Sequence, residues 1–275
     1  MSNPFSEPDS PTRVFCVVSG KGGVGKSSVT VNLAVAFARR GLRVGVLDAD
    51  IHGHSIPDML GCTDGPTRSA AAMTPPSAAG VRVMSVGMFA HDNAPIVWRG
   101  PMLHGALRQF LTDVDWGELD VLLVDQPPGT GDIAISLAQM LPTAQLLVVT
   151  TPQASAARVA ERAGAAAART EQRVAGVVEN MSWYDGPDGV RRALFGEGGG
   201  AAVAGRLTEL LGVDCPLLAR IPFDPRVGEA ADRGVPIVVG DADSSAAQAF
   251  HALAEALPNR RRELIGRRLA IAPTG

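Results

Sequence analysis

With 275 residues, 46% of them hydrophobic, the chain is long enough to bury a large core as one α/β domain, with or without a small appendage. A formal net charge of −3 and a pI near 6.0 give no general attraction for nucleic acid or anionic membrane, so neither is expected as a partner. Three cysteines, Cys16, Cys62 and Cys215, are odd in number and far apart, which suits a reducing cytoplasm better than a disulfide framework.

Residues 1–12, "MSNPFSEPDSPT", have no basic segment followed by an apolar one, and read as a disordered tail rather than a signal peptide. No apolar run approaches the roughly 20 residues that span a bilayer. "RVFCVVS" is the first strand. A helix follows from Lys26 to Arg40, with Val29, Leu33, Ala36 and Phe37 at helical spacing and Gly41 as its stop. Strands are then expected at "LRVGVLD", "VRVMSV", "DVLLVD", "AQLLVVT" and "RVAGVVE", most of them followed by a helical segment. Buried strands alternating with helices predict a doubly wound, mostly parallel sheet with helices on both faces. The stretch from Thr63 to Gly80 is poor in large apolar groups and reads as a mobile surface loop. One domain is expected over 13–257. Residues 258–275 are a basic tail, whose Leu264, Ile265 and Leu269 make too small an apolar face, interrupted by Gly266, for membrane binding to be expected.

Between the first strand and the first helix lies "SGKGGVGKSS", in which Gly20, Lys21, Gly22, Gly23, Val24, Gly25, Lys26 and Ser27 fit G-x-x-x-x-G-K-[ST]. Such a loop turns successive backbone N–H groups toward an anion, and the helix N-terminus adds partial positive charge. Lys26 is expected to reach the β- and γ-phosphates of ATP, Ser27 to ligate Mg²⁺, and Ser28 to complete the cradle. "DVLLVDQPPGTGD" ends a strand on Asp125, where a carboxylate can serve Mg²⁺, and Gly129 and Gly131 leave a flexible turn beyond it. "VLDADIHGHSIP" puts Asp48 and Asp50 two residues apart, on one side of an extended chain, so that one can support Mg²⁺ while the other orients the attacking water. His52 and His54 read as exposed loop residues, since two ligands without a third make a poor metal site.

Together, "GKGGVGKSS", "DADIHGHSIP", "WRGPM", "DQPPGTGD" and "ENMSW" resemble the Mrp/ApbC family of P-loop ATPases over about residues 13–240. That family falls in the signature-lysine group that also contains MinD and ParA. The resemblance implies an ATP-hydrolysing homodimer whose family role is carrying [4Fe-4S] clusters to apoproteins. It implies that Lys21 crosses to the partner's phosphates, that Asp50 orients water, and that Asp48 and Asp125 serve Mg²⁺. It also implies that Asn180 meets the adenine edge and that "IPFDP", with Pro222 and Asp224, closes over the base.

Two departures from the family are visible. Where most members carry Cys-Pro-x-Cys, this chain has Gly186-Pro187-Asp188-Gly189, and glycine cannot ligate iron. The extra N-terminal domain of many bacterial members is expected to be absent or on another chain. No retained cluster is therefore expected for the homodimer, and a Gly186/Gly189 double change to cysteine is expected to create a cluster site. The alternative is a MinD/ParA-type positioning switch that carries no cluster. A small-molecule phosphotransferase is disfavoured, because nothing after the loop suggests an acceptor pocket and Lys21 would have no role.

Overall fold

A computed structural model describes residues 3–51, 53, 55–69, 72–89, 100–129, 131–153, 162 and 167–257. The five long strands of the centre are β1 (Arg13–Val18), β2 (Val44–Asp48), β7 (Val121–Asp125), β8 (Gln145–Thr150) and β9 (Arg173–Glu179). They join β6 (Val81–Ser85), β12 (Leu217–Arg220) and the short β5 (Ser77–Ala78) in one eight-stranded sheet of order β12-β9-β8-β1-β7-β2-β6-β5. All pairs are parallel except β5 with β6. The expected fold class is thus observed.

Alternation along the strands distributes side chains to two cores, as a sheet covered on both faces requires. In β1, Val14, Cys16 and Val18 enter one core, with Leu103, Leu107 and Leu111 of α2 (Gly100–Thr112) and Leu137 of α3 (Asp132–Met140). Phe15 and Val17 enter the other, with Val29, Leu33, Ala36 and Phe37 of α1 (Lys26–Arg39) and Phe250 and Leu253 of a late helix, Ser245–Ala256. Each buried side chain of this size contributes roughly 1.5–3 kcal/mol, so the two cores together fix how α1 meets β1. That junction carries the glycine-rich loop. Because β1 lies between β7 and β8, the chain leaves its carboxyl end at the point where the order of strands reverses, the usual crevice for a ligand in an open α/β sheet.

Two expectations need correction. Residues 3–12 are anchored rather than a free tail: Phe5 is buried edge-on to Trp116, and the Asn3 side-chain amide donates to the Met140 carbonyl at 2.7 Å. The Thr63–Gly80 stretch contains β3 (Thr67–Arg68) and β4 (Met73–Thr74), which pair with each other, besides β5. Both segments are tied down by a few long-range contacts of Phe5 and Met73, which carry no periodicity in sequence. The basic tail, His52, His54, Trp98 and Arg99 lie outside the described residues.

Candidate phosphate-binding site

Gly25 begins α1 at a φ of +77°, in the left-handed region, and supplies no capping side chain. An added Cβ there would also run into the side-chain amide of Asn180. The first-turn N–H groups of α1 are therefore left without a side-chain acceptor and point out of the end of the helix, an arrangement suited to an anion. Asn180 itself donates from Nδ2 to the Val24 carbonyl at 2.9 Å, bracing the loop from β9.

Lys26 is buried at the first helical position, and its Nζ lies 2.5 Å from Asp125 Oδ2 and 3.7 Å from Asp50 Oδ2. Ser27 Oγ donates to the same Asp125 oxygen at 2.7 Å. Asp125 and Asp48 end adjacent parallel strands in direct register. Both are fully buried, so two carboxylates share one low-dielectric pocket with a single ammonium close by. Burial, and then the charge of Asp125, push the Asp48 carboxyl up to about 8, although Ser85 Oγ (2.9 Å) and the Asp50 N–H (3.1 Å) both donate to it. The site holds more negative charge than its burial favours and gains from added positive charge.

A divalent cation with oxygen ligands fits this chemistry, since Ser27 Oγ and Asp125 Oδ2 are hard donors already side by side. Among the described residues, no group of three or more His, Cys, Asp and Glu is arranged to hold a metal ion. A Mg²⁺ here would rely on phosphate oxygens and water for most of its shell, as Mg²⁺ usually does.

The structure thus brings Lys26, Ser27, Asp48, Asp50 and Asp125 together. Lys21 is exposed on the loop, where its carbonyl accepts from Ser19 Oγ at 2.9 Å, and Arg162 reaches the neighbouring Gly20 carbonyl at 3.5 Å. Pro222 and Asp224 sit apart from the carboxylates, lining a cavity of about 390 Å³ with Tyr184, Phe223 and Arg226. Two backbone hydrogen bonds tie that wall to the segment after Asn180: Ser182 N–H to Ile221 O, and Phe223 N–H to Trp183 O. Asp224 caps a helix, Pro225–Asp232, by accepting from the Arg226 N–H at 3.0 Å.

Three participants were missed in the sequence. Thr30 donates to Asp125, and its position one turn after Lys26 was the available signal. Ser85 is the register partner of Asp48 on β6, which only the strand order reveals. Glu179, fully buried, accepts from the Gly200 N–H (2.6 Å), Ser182 Oγ (2.8 Å) and Arg220 Nε (3.0 Å), and so fixes the start of the Asn180 segment.

Gly186–Gly189 form the turn of a hairpin between β10 (Tyr184–Asp185) and β11 (Arg191–Arg192). The turn is closed by Gly186 N–H to Val190 O at 3.0 Å and by an Asp188–Arg192 ion pair of 2.5 Å. Gly189 has a φ of +74°, and an added Cβ at Gly186 would meet Arg192 and Asp188. The spacing of the motif is present; the left-handed backbone at Gly189 opposes a side chain there, whereas one at Gly186 needs the exposed ends of Arg192 and Asp188 to move aside.

A family model described as ParA, NUBPL iron-transfer P-loop NTPase, matches residues 10–258. The iron-sulfur cluster carrier protein of Mycobacterium tuberculosis (strain ATCC 25618 / H37Rv) is 59% identical over 271 residues, covering 98% of this chain and 71% of that protein. Among solved structures, a nucleotide-binding protein in complex with ADP from Archaeoglobus fulgidus superposes with a TM-score of 0.72 at 35% identity, covering 87% of this chain and 93% of that one. The septum site-determining protein MinD complexed with Mg-ADP from Pyrococcus horikoshii OT3 superposes with a TM-score of 0.65 at 25% identity, covering 93% and 98%. With its glycine-rich loop at the switch point of a doubly wound sheet and one family model matching residues 10–258, the chain belongs to the ParA family of NUBPL-type iron-transfer P-loop NTPases.

Proposed function

We propose that this chain is a Mg²⁺-dependent ATPase acting as a homodimer in the cytoplasm, with the nucleotide on Gly20–Ser28 and one ATPase domain over 13–257. The observation that carries the reading is the Lys26 ammonium, held between Asp125 and Asp50 at the start of α1, beside the Ser27 hydroxyl. When phosphate enters, Lys26 exchanges a carboxylate oxygen for phosphate oxygens, while the α1 N-terminus and the loop N–H groups carry the remaining charge. Mg²⁺, held by Ser27 with Asp125 and Asp48 behind it, would neutralise charge that develops on the phosphates. Asp50 orients water toward the γ-phosphate, and Lys21 of each subunit reaches the partner's phosphates. Asn180, with Pro222 and Asp224, encloses the base. The same reading is supported by the ADP and Mg-ADP named for the two structural neighbours.

Membership of the family supports a role in carrying iron–sulfur clusters to apoproteins, with cluster-assembly proteins and client apoproteins as partners. As cargo, a [4Fe-4S] cluster does not fit the thiols of this chain. Cys16 lies within β1, its thiol pushed up to about 12 by burial, and Cys215 packs into the same core. Cys62 packs against the core on the other face of the sheet. Three thiols divided between two faces do not converge on one cluster, which needs four ligands. This observation favours the second reading, a nucleotide-dependent switch that carries no cluster.

The test is steady-state ATP hydrolysis with iron and acid-labile sulfide analysis after anaerobic reconstitution. Hydrolysis that requires Mg²⁺ and disappears in Lys26→Ala supports the ATPase. Absence of hydrolysis and of nucleotide binding in the intact chain overturns it. Close to four irons per dimer retained through desalting would contradict the cluster-free reading.

A further inference from the structure

Thr30 is fully buried on α1, four residues after Lys26. Its Oγ1 stands 2.7 Å from Asp125 Oδ1 and 3.0 Å from the Lys26 carbonyl oxygen. A hydroxyl has one proton to give, and the shorter contact, to an ionised acceptor, is the stronger of the two. The opposite carboxylate oxygen, Oδ2, receives both Lys26 Nζ at 2.5 Å and Ser27 Oγ at 2.7 Å. The two oxygens of Asp125, chemically equivalent in isolation, therefore have separate duties. Rotation of the carboxylate about its terminal torsion is soft, and burial alone would not select one oxygen for the loop.

We propose that Thr30 is a positioning residue: it ties Asp125 Oδ1 to α1, so that Oδ2 stays aimed at Ser27 and Lys26, where Mg²⁺ and phosphate are read to bind. This rests on the nucleotide reading given above. The competing account is a buried threonine that merely satisfies its hydroxyl on the carbonyl one turn back, as helical threonines commonly do. On that account, removing the hydroxyl leaves Asp125 function untouched. On ours, the orientation is lost while the volume of the side chain is kept.

The test compares Thr30→Val, Thr30→Ser and the unaltered chain for binding of a fluorescent ATP analogue, titrated with Mg²⁺ and repeated in EDTA, with thermal unfolding in parallel. Thr30→Val is expected to raise the Mg²⁺ concentration for half-maximal binding about tenfold, the usual scale for removing a group that orients a metal-side carboxylate. Metal-free binding should stay within about twofold, and Thr30→Ser, which keeps the donor, should restore the Mg²⁺ dependence. Should Thr30→Val fail to fold, Thr30→Ala carries the same comparison. Unchanged Mg²⁺ dependence in a folded donor-free variant overturns the proposal, as does equal loss of binding with and without Mg²⁺. An unaltered chain that binds no nucleotide overturns the underlying reading, and this proposal with it.

Discussion

The carboxyl ends of β1, β2 and β7 and the β10–β11 hairpin are both rich in paired charges, and they differ in access to water. At the strand ends Lys26, Asp48 and Asp125 are buried, and each hydrogen-bonds to a specified neighbour. On the hairpin, Asp185 pairs with Arg191 and Asp188 with Arg192, all four exposed. Coulomb attraction in the buried pocket is weakly screened, and leaving one partner unpaired is costly; on the hairpin, water replaces a lost partner at little cost. Chemistry is therefore expected to reside in the first region, and sequence change to be tolerated in the second.

Lys26→Ala should break this contrast most severely. It leaves the buried Asp125 without its cation, which typically costs about 3–5 kcal/mol, and it removes the phosphate ligand. Denaturant unfolding should show the loss of stability, and calorimetry should detect no ATP binding. A variant with unaltered stability would mean that the pocket is far wetter than its burial implies.

Asp48→Asn should act next, and through pH. The folded chain keeps the Asp48 proton up to about 8, whereas an ordinary aspartate loses it near 3.8. Between those values the folded state binds the extra proton, so this group's contribution to stability declines as pH rises from about 4 to about 8. Asparagine keeps an acceptor for the Asp50 N–H and can meet Ser85, yet carries no charge. Melting curves between about pH 4 and about pH 8 should show a shallower decline in Asp48→Asn than in the unaltered chain; parallel curves would remove Asp48 as their cause.

Smaller effects are expected on the hairpin. Gly189→Cys places a side chain at a φ of +74° and should cost on the order of 1–3 kcal/mol. Joined with Gly186→Cys, it should hold a cluster only if the turn rearranges, which iron retention by the double variant would reveal. Asp188→Ala should be the mildest change. Arg192 holds the Asp188 carboxyl down at about 2, but both groups are exposed, and the thermal midpoint is expected not to move measurably.

The same contrast explains what was legible in sequence. Gly20–Ser27, Asp48, Asp50 and Asp125 stood out as candidates because the loop has a fixed spacing and the aspartates close short apolar runs. The helix at Lys26 and the central strands followed from periodicity. Ser85 and Thr30 were not seen as partners of those aspartates. Their contacts depend on β6 lying beside β2 and on α1 crossing β7, and neither adjacency is encoded in local pattern. Phe5 escaped for a related reason: a single aromatic in a Pro- and Ser-rich segment looks like a tail until Trp116 is placed opposite it.

On the proposed function, the buried pocket binds phosphate through Lys26 and orients water through Asp50. Asp50→Asn separates these duties, because it leaves Lys26, Ser27 and Asp125 in place while removing the group that orients water. The decisive measurement is ATP affinity and single-turnover hydrolysis on one preparation of Asp50→Asn. Near-normal affinity for Mg²⁺-ATP is expected, with hydrolysis slowed by about 10²-fold or more. Hydrolysis at the unaltered rate, or loss of binding equal to that of Lys26→Ala, would contradict it.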